Sequence, residues 1–284
     1  MTGIDTGAAT ARDGDIELWY EVQGSNGPPL VLTGGFGLLD EQFHAVRPYL
    51  LEHFQVIDWH YRGSGNSTRD CSIGFDRWVE DLEVVLASIG VGEASPAALL
   101  WGTSTGSPIT LAYAARYPER VQGVAVHPFL AGAAGRRVMD GFRAVGEGFG
   151  YEALALLTAW IGCAGEVAME PGMLELARFE AAVFRRKIDL SRLGEILDEL
   201  VAVDVTDAVS TLADREMPML VLIGQSGRMG IDTKGAARAV EQFQALVPAA
   251  ELSVIPAGGG TYCMIEQPEK SARALIDWVD RLAL

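Results

Sequence analysis

Gly102-Thr103-Ser104-Thr105-Gly106 sets a serine between two glycines, after the apolar run Ala97 to Trp101 and before a segment of helical period, Leu111 to Tyr117. Small residues in that context permit a sharp strand-to-helix turn that lifts the Ser104 hydroxyl above a sheet. The helix that follows aims the positive end of its dipole at any oxyanion formed there. The chemistry indicated is nucleophilic attack, oxyanion stabilisation or both. Attack needs help, because a serine hydroxyl is activated only by a base in hydrogen-bond reach, itself oriented by an acid. The chain holds four histidines, His44, His53, His60 and His127. His53 precedes a strand and so falls at the wrong end of a sheet. His60 and His127 close apolar runs and fall at the edge that carries Ser104.

Those positions require a mostly parallel sheet. Leu30-Val31-Leu32, Phe54 to Trp59, Ala97 to Trp101, Val121 to His127, Met219 to Ile223 and Leu252 to Ile255 are short apolar runs without alternation, as strands buried on both faces are. Ile16 to Val22 alternates apolar and polar residues and is predicted as an edge strand of an opening hairpin. Helical periods lie between the runs, for instance Leu82, Val85, Leu86 and Ile89, and Leu275, Ile276, Val279 and Leu282. Alternating strand and helix predicts an α/β fold. From about Ala131 to Arg215 the rhythm breaks: Tyr151 to Trp160, Gly172 to Lys187 and Ser191 to Val203 are helical, with no strand among them. The expected organisation is a core of residues 1–130 and 216–284 with a helical cap, 131–215, inserted into it.

The 284 residues are 49% hydrophobic and 21% charged, a balance that builds a buried core. Lys and Arg number 22 against 38 Asp and Glu, a formal net charge of -16 that repels phosphate backbones and anionic headgroups. Nucleic acid and membrane are therefore excluded as expected partners. No basic leader with an apolar core opens the chain and no run of eighteen apolar residues follows, so a soluble cytoplasmic protein is expected. Cys71, Cys163 and Cys263 lack disulfide or zinc spacing and read as thiols of a reducing compartment. No ligand cluster or dinucleotide-binding glycine run is present, which predicts cofactor independence, with a small-molecule substrate as the partner and a monomer or homodimer as the assembly.

Four motifs in order resemble the α/β-hydrolase fold superfamily over nearly the whole chain. Leu32-Thr33-Gly34-Gly35-Phe36-Gly37 is similar to its oxyanion loop, L-x-H-G-x-G, and residues 56 to 67, VIDWHYRGSGNS, to its x-x-D-x-R-G-x-G-x-S turn. Residues 112 to 121, AYAARYPERV, are similar to the helix after the elbow, and Met264-Ile265-Glu266-Gln267-Pro268-Glu269 to the start of the last helix. The resemblance implies an eight-stranded, mostly parallel sheet flanked by helices, Ser104 as nucleophile, and the backbone N–H groups of Phe36 and Thr105 as oxyanion donors.

The triad is degenerate. The family's acid position, three residues after Gly224, is Gly227, and its histidine position, five before Glu266, is Thr261. Gly34 replaces the oxyanion-loop histidine, and His60 stands where the fourth-strand turn has an aspartate. By family strand order His127 ends the strand beside that of Ser104, about 4.8 Å away, whereas the strand of His60 is two removed, so His127 is the better substitute base. Asp232 reads as a helix cap that could replace the acid. Cys263 is a soft nucleophile only if its pKa is lowered. Gly35, Thr103, Trp160, Thr261 and Tyr262 are the expected substrate contacts. Phe142, Phe149, Tyr151, Leu154, Leu157, Trp160, Met169, Met173, Phe179 and Phe184 make the cap apolar, which points to a largely apolar substrate.

Three functions follow. Surviving elbow and oxyanion donors without a base suit an enzyme of cyclisation, elimination or rearrangement on a natural-product-like molecule. A base relocated to His127 or His60 suits a hydrolase or acyltransferase acting on an ester, thioester or lactone through Ser104. Loss of several polar positions around one elbow also suits a silent binding protein.

Overall fold

The computed structural model describes residues 6–25, 27–93, 95–127, 132–164 and 171–282. Pro128, the expected cap boundary at 130/131 and Met169 lie outside the described residues. Eight strands form one sheet: β1 (Gly7–Asp13), β2 (Ile16–Gln23), β3 (Pro29–Thr33), β4 (Gln55–Trp59), β5 (Ala98–Gly102), β6 (Val121–Val126), β7 (Met219–Ser226) and β8 (Glu251–Gly259). Their spatial order is β1-β2-β4-β3-β5-β6-β7-β8. The β1–β2 and β2–β4 pairs are antiparallel. The remaining five are parallel. This places the ends of β3, β4, β5 and β6 on one edge, where the chain must turn into loops or helices.

Two expectations are corrected at the sheet's margins. Ile16–Gln23 is not an edge strand, because β1 covers it. The true edge, GAATARD, buries only Ala11, so it carries no apolar signal to read. At the other margin β8 is buried on one face only, with Leu252 and Val254 exposed. The interior strands β3, β4 and β5 are buried along their whole length, as their apolar runs predict.

Helices cover both faces, each burying an apolar stripe against the sheet. On one face α1 (Arg47–Leu50) and the last helix, α10 (Pro268–Leu282), enclose Phe43, Trp101, Met264 and Trp278. On the other, α2 (Phe75–Ser88), α3 (Gly106–Arg116), α7 (Thr206–Asp214) and α8 (Lys234–Leu246) form the second layer. The segment between β6 and α7 contributes α4 (Gly132–Gly162, bent at Gly150), α5 (Pro171–Lys187) and α6 (Leu193–Ala202). α4 packs against α5 and α6, whereas α7 packs against α3 on the flank of the sheet. The short α9 (Cys263–Glu266) follows β8 through a single turn, Gly260–Tyr262. Among the described residues no helix is long and apolar enough to cross a membrane.

Candidate active site

β5 ends at Gly102 and α3 begins at Gly106, and the residue lifted between them is Ser104, at φ 51°. That left-handed backbone costs a non-glycine residue about 1–3 kcal/mol and persists only where the surroundings fix it. They do so here: a Cβ on Gly106 would lie 2.2 Å from the Thr33 carbonyl oxygen, so the elbow closes against β3 only with glycine at that position.

Ser104 lines a cavity of about 60 Å³, together with Gly35, Phe36 and Gln42 from the segment after β3 and Thr105 from the elbow. α4 contributes Val138, Met139, Phe142, Thr158, Ile161 and Gly162, and the far wall is Met229, Thr261 and Tyr262. An adjoining chamber of about 170 Å³ shares Val138, Met229 and Thr261 and extends to Arg228 and the start of α8. Of the expected contacts, Gly35, Thr261 and Tyr262 line the cavity, as do the oxyanion-donor residues Phe36 and Thr105. Thr103 is fully buried beneath it, and Trp160 turns away to stack under Arg228, 4.0 Å from ring centroid to guanidinium carbon. Phe142 reaches the cavity, but Phe149 is 77% exposed and Phe184 packs inside the protein.

One of the two expected oxyanion donors, the Phe36 N–H, is already engaged, as is the neighbouring Gly35 N–H. Phe36 N–H donates to Thr105 Oγ1 at 2.6 Å, and Gly35 N–H donates to Gln42 Oε1 at 2.8 Å. A substrate oxygen gains the Phe36 donor only by displacing the Thr105 hydroxyl, a contact that no five-residue elbow pattern reveals.

No histidine lines this cavity among the described residues. His127 sits at the end of the strand beside β5, as expected, but its ring points beneath the sheet. It stacks on Trp101, receives the indole N–H at Nδ1 (3.4 Å) and sets Nε2 3.4 Å from Cys263 Sγ. Burial drives its pKa down to about 3, so it is neutral and remote from Ser104. His60 is also wholly buried. The Asn66 N–H donates to Nδ1 at 3.0 Å, which fixes the proton on Nε2, and Nε2 donates to Asp40 Oδ1 at 2.6 Å. Its lone pair is therefore occupied. His44 is exposed, bonded to the Glu41 carbonyl and set against Phe179.

The position expected for the acid is closed by the backbone. Gly227 has φ 79°, and a Cβ there would lie 2.3 Å from the carbonyl oxygen of Cys163, at the end of α4. Asp232 is exposed and is not the cap of α8; Thr233 is, its hydroxyl accepting from Ala236 N–H at 3.3 Å. Cys263 is fully buried and its thiol is pushed up to about 12 by burial, which leaves it unreactive. Among the described residues no group of three or more His, Cys, Asp or Glu is arranged to hold a metal ion.

A family model described as alpha/beta hydrolase fold matches residues 28–127, from β3 through the elbow to the end of β6. A crystal structure of a bromoperoxidase from Bacillus anthracis superposes with a TM-score of 0.79 at 18% identity, covering 96% of this chain and 100% of that one. This is an α/β-hydrolase fold. In sequence, the chain is 28% identical over 262 residues to the polyketide synthase ThaQ of Burkholderia thailandensis, covering 91% of this chain and 12% of the synthase. It is 26% identical over 226 residues to a pimeloyl-acyl-carrier-protein methyl ester esterase of Salmonella heidelberg, covering 73% of this chain and 79% of the esterase.

One group in this α/β-hydrolase fold escaped the sequence reading. Glu180, on α5, is completely buried. Its carboxyl accepts from the Thr158 hydroxyl at Oε2 and faces the Tyr262 hydroxyl, both from residues of the cavity wall. Burial outweighs these contacts and pushes its pKa up to about 7. A single glutamate in RFEAAVFRRK reads as part of a solvated helix face, so only the tertiary packing exposes its role.

Proposed function

We propose that this α/β-hydrolase-fold chain is an enzyme that converts a small, largely apolar, natural-product-like molecule by cyclisation, elimination or rearrangement, without acylating Ser104. The observation that carries this reading is the cavity beside Ser104 with no histidine in its wall; Thr261 and Gly227 stand where the resemblance expects base and acid. The Thr105 hydroxyl on the Phe36 N–H adds to it, because hydrolysis depends on that donor for its tetrahedral intermediate. What remains is a largely apolar pocket with a few polar groups, suited to folding a flexible substrate into a reactive conformer and polarising one carbonyl with Ser104. Likeness to a segment of a polyketide synthase supports a natural-product substrate.

Acyl transfer through Ser104 is the second reading, favoured by the preserved elbow backbone at φ 51° and by the likeness to a methyl ester esterase. Intact mass after incubation with a fluorophosphonate separates the two, with Ser104→Ala and His127→Ala as controls. The expected result is no adduct under conditions that fully label an ordinary serine esterase. Rapid addition of one adduct, lost in Ser104→Ala, overturns the first reading. Incubation with a panel of linear hydroxy-enones then looks for turnover directly: ring closure gives a new chromatographic species of unchanged mass.

A further inference from the structure

We propose that Tyr262 transfers protons between bound substrate and Glu180, the phenol being a catalytic residue of the cavity and the carboxyl the group that positions it and stores its proton. The role rests on the reading of the cavity as a proton-transfer site in which Ser104 is not acylated.

Tyr262 lies one residue beyond Thr261 and fills the cavity wall near Ser104. Behind it, out of the cavity, is Glu180, fully buried, with carboxyl oxygen Oε1 lacking any hydrogen-bond partner. The titratable groups facing this carboxyl are Tyr262 from the turn before α9 and the Cys163 thiol from the end of α4. His44 meets the neighbouring Phe179 on the exposed side of α5. No cation is paired with Glu180 among the described residues, and a buried carboxylate without one is costly enough to sit close to neutralisation at ordinary pH.

The surrounding hydroxyls fit both protonation states. Thr158 has one proton and two acceptors within reach, Glu180 Oε2 and the Ala155 carbonyl at 2.9 Å. When Glu180 is ionised, Thr158 donates to Oε2, and the facing Tyr262 hydroxyl is a donor available to the unpaired Oε1. When it is protonated, it donates to Thr158 Oγ1, and Thr158 turns its own proton to Ala155. Thr158 serves both states of this glutamate by hydroxyl rotation, and the unpaired Oε1 is left to receive a proton from the neighbouring phenol of the cavity wall.

The balanced step is a relay. A substrate C–H bond breaks and its proton passes to the Tyr262 oxygen as the Tyr262 O–H proton passes to Glu180, and the electron pair left on carbon forms a double bond or expels a leaving group. The reverse sequence delivers a proton. No redox partner is involved.

The test uses 5-nitro-1,2-benzisoxazole, whose C–H abstraction breaks the N–O bond, forms a nitrile and releases a coloured phenolate. It needs only a base in an apolar pocket. The expected result is elimination faster than in buffer alone, rising with pH to a plateau with its midpoint near 7. Tyr262→Phe and Glu180→Gln are each expected to lower the rate by about a hundredfold, with KM little changed. Infrared spectra supply a readout independent of turnover. A protonated-carboxyl band present at low pH fades as pH rises, is absent in Glu180→Gln, and titrates at higher pH in Tyr262→Phe, because the phenol bond favours the ionised form. Elimination no faster than buffer, a Tyr262→Phe rate within about twofold of the parent, or no band assignable to Glu180 overturns the proposal. Fluorophosphonate labelling of Ser104 would overturn the preceding reading and leave these measurements standing, so the two failures are distinguishable.

Discussion

Helix α5 carries two buried ionisable contacts, seven residues and two turns apart, and they differ in every electrostatic respect. At its C-terminal end Lys187 bonds to Asp40 Oδ1, which also accepts the His60 Nε2 proton, while the Lys187 carbonyl accepts from Gly65 N–H at 2.7 Å. Burial raises the pKa of Asp40, but the His60 bond and the Lys187 charge outweigh it and hold the carboxyl well below the usual range. Two turns earlier Glu180 meets only neutral hydroxyls, and burial wins. One carboxylate is held ionised and ties helix to core; the other is driven toward its neutral form behind the wall of the Ser104 cavity. Burial alone does not decide a carboxyl's role. The charge of its partners does.

The largest effect is expected from breaking the compensated cluster. Asp40→Ala leaves Lys187 buried without its nearest anion and the His60 N–H without an acceptor, and should cost about 3–5 kcal/mol at pH 7 in urea denaturation. The Asp40 contribution is present above the ordinary carboxyl pKa and is lost as pH falls, because the folded state depresses that pKa. A loss below about 1 kcal/mol would mean that water, not protein, supports Lys187, and the contrast would collapse.

Glu180→Gln is next and has the opposite sign. Folding raises this carboxyl from 4.5 to about 7. The folded state is unpenalised below pH 4.5 and loses stability as pH rises to 7, by about 3 kcal/mol at 1.36 kcal/mol per unit. The variant should therefore match the parent at pH 4.5 and exceed it by up to about 3 kcal/mol at pH 8. Equal stabilities at both pH values would show that Glu180 is not penalised when ionised.

Much of this molecule was legible in its sequence. Interior strands were apolar runs and the elbow lay in its required context. The orientation of His127 is encoded in the alternation along β6: Val124 and Val126 face one layer, and Ala125, like His127, faces the other, with Trp101. The edge strand β1 was not legible as a strand, since exposed residues on both faces leave no periodic signal. Neither was Glu180. Its meaning depends on Thr158 and Tyr262, 22 residues before it and 82 after it, meeting at one carboxyl, a coincidence of tertiary packing that no local pattern encodes.

The smallest predicted effect is the most discriminating. Thr158→Val keeps the side-chain volume and removes the hydroxyl that serves both protonation states of Glu180. The bond it deletes is charge-assisted when the carboxyl is ionised and ordinary when it is protonated, so the ionised state loses more. The Glu180 titration should then move upward by about one pH unit, a differential of about 1.4 kcal/mol, read from the infrared carboxyl band. At low pH the variant should lose only about 1 kcal/mol, the worth of a neutral hydrogen bond. The same substitution cannot touch Asp40, whose partners lie two turns away, so the acid limb of the stability curve should be unchanged. A shift of that limb would mean that the two clusters on α5 are coupled through the helix and are not the independent sites that their contacts describe.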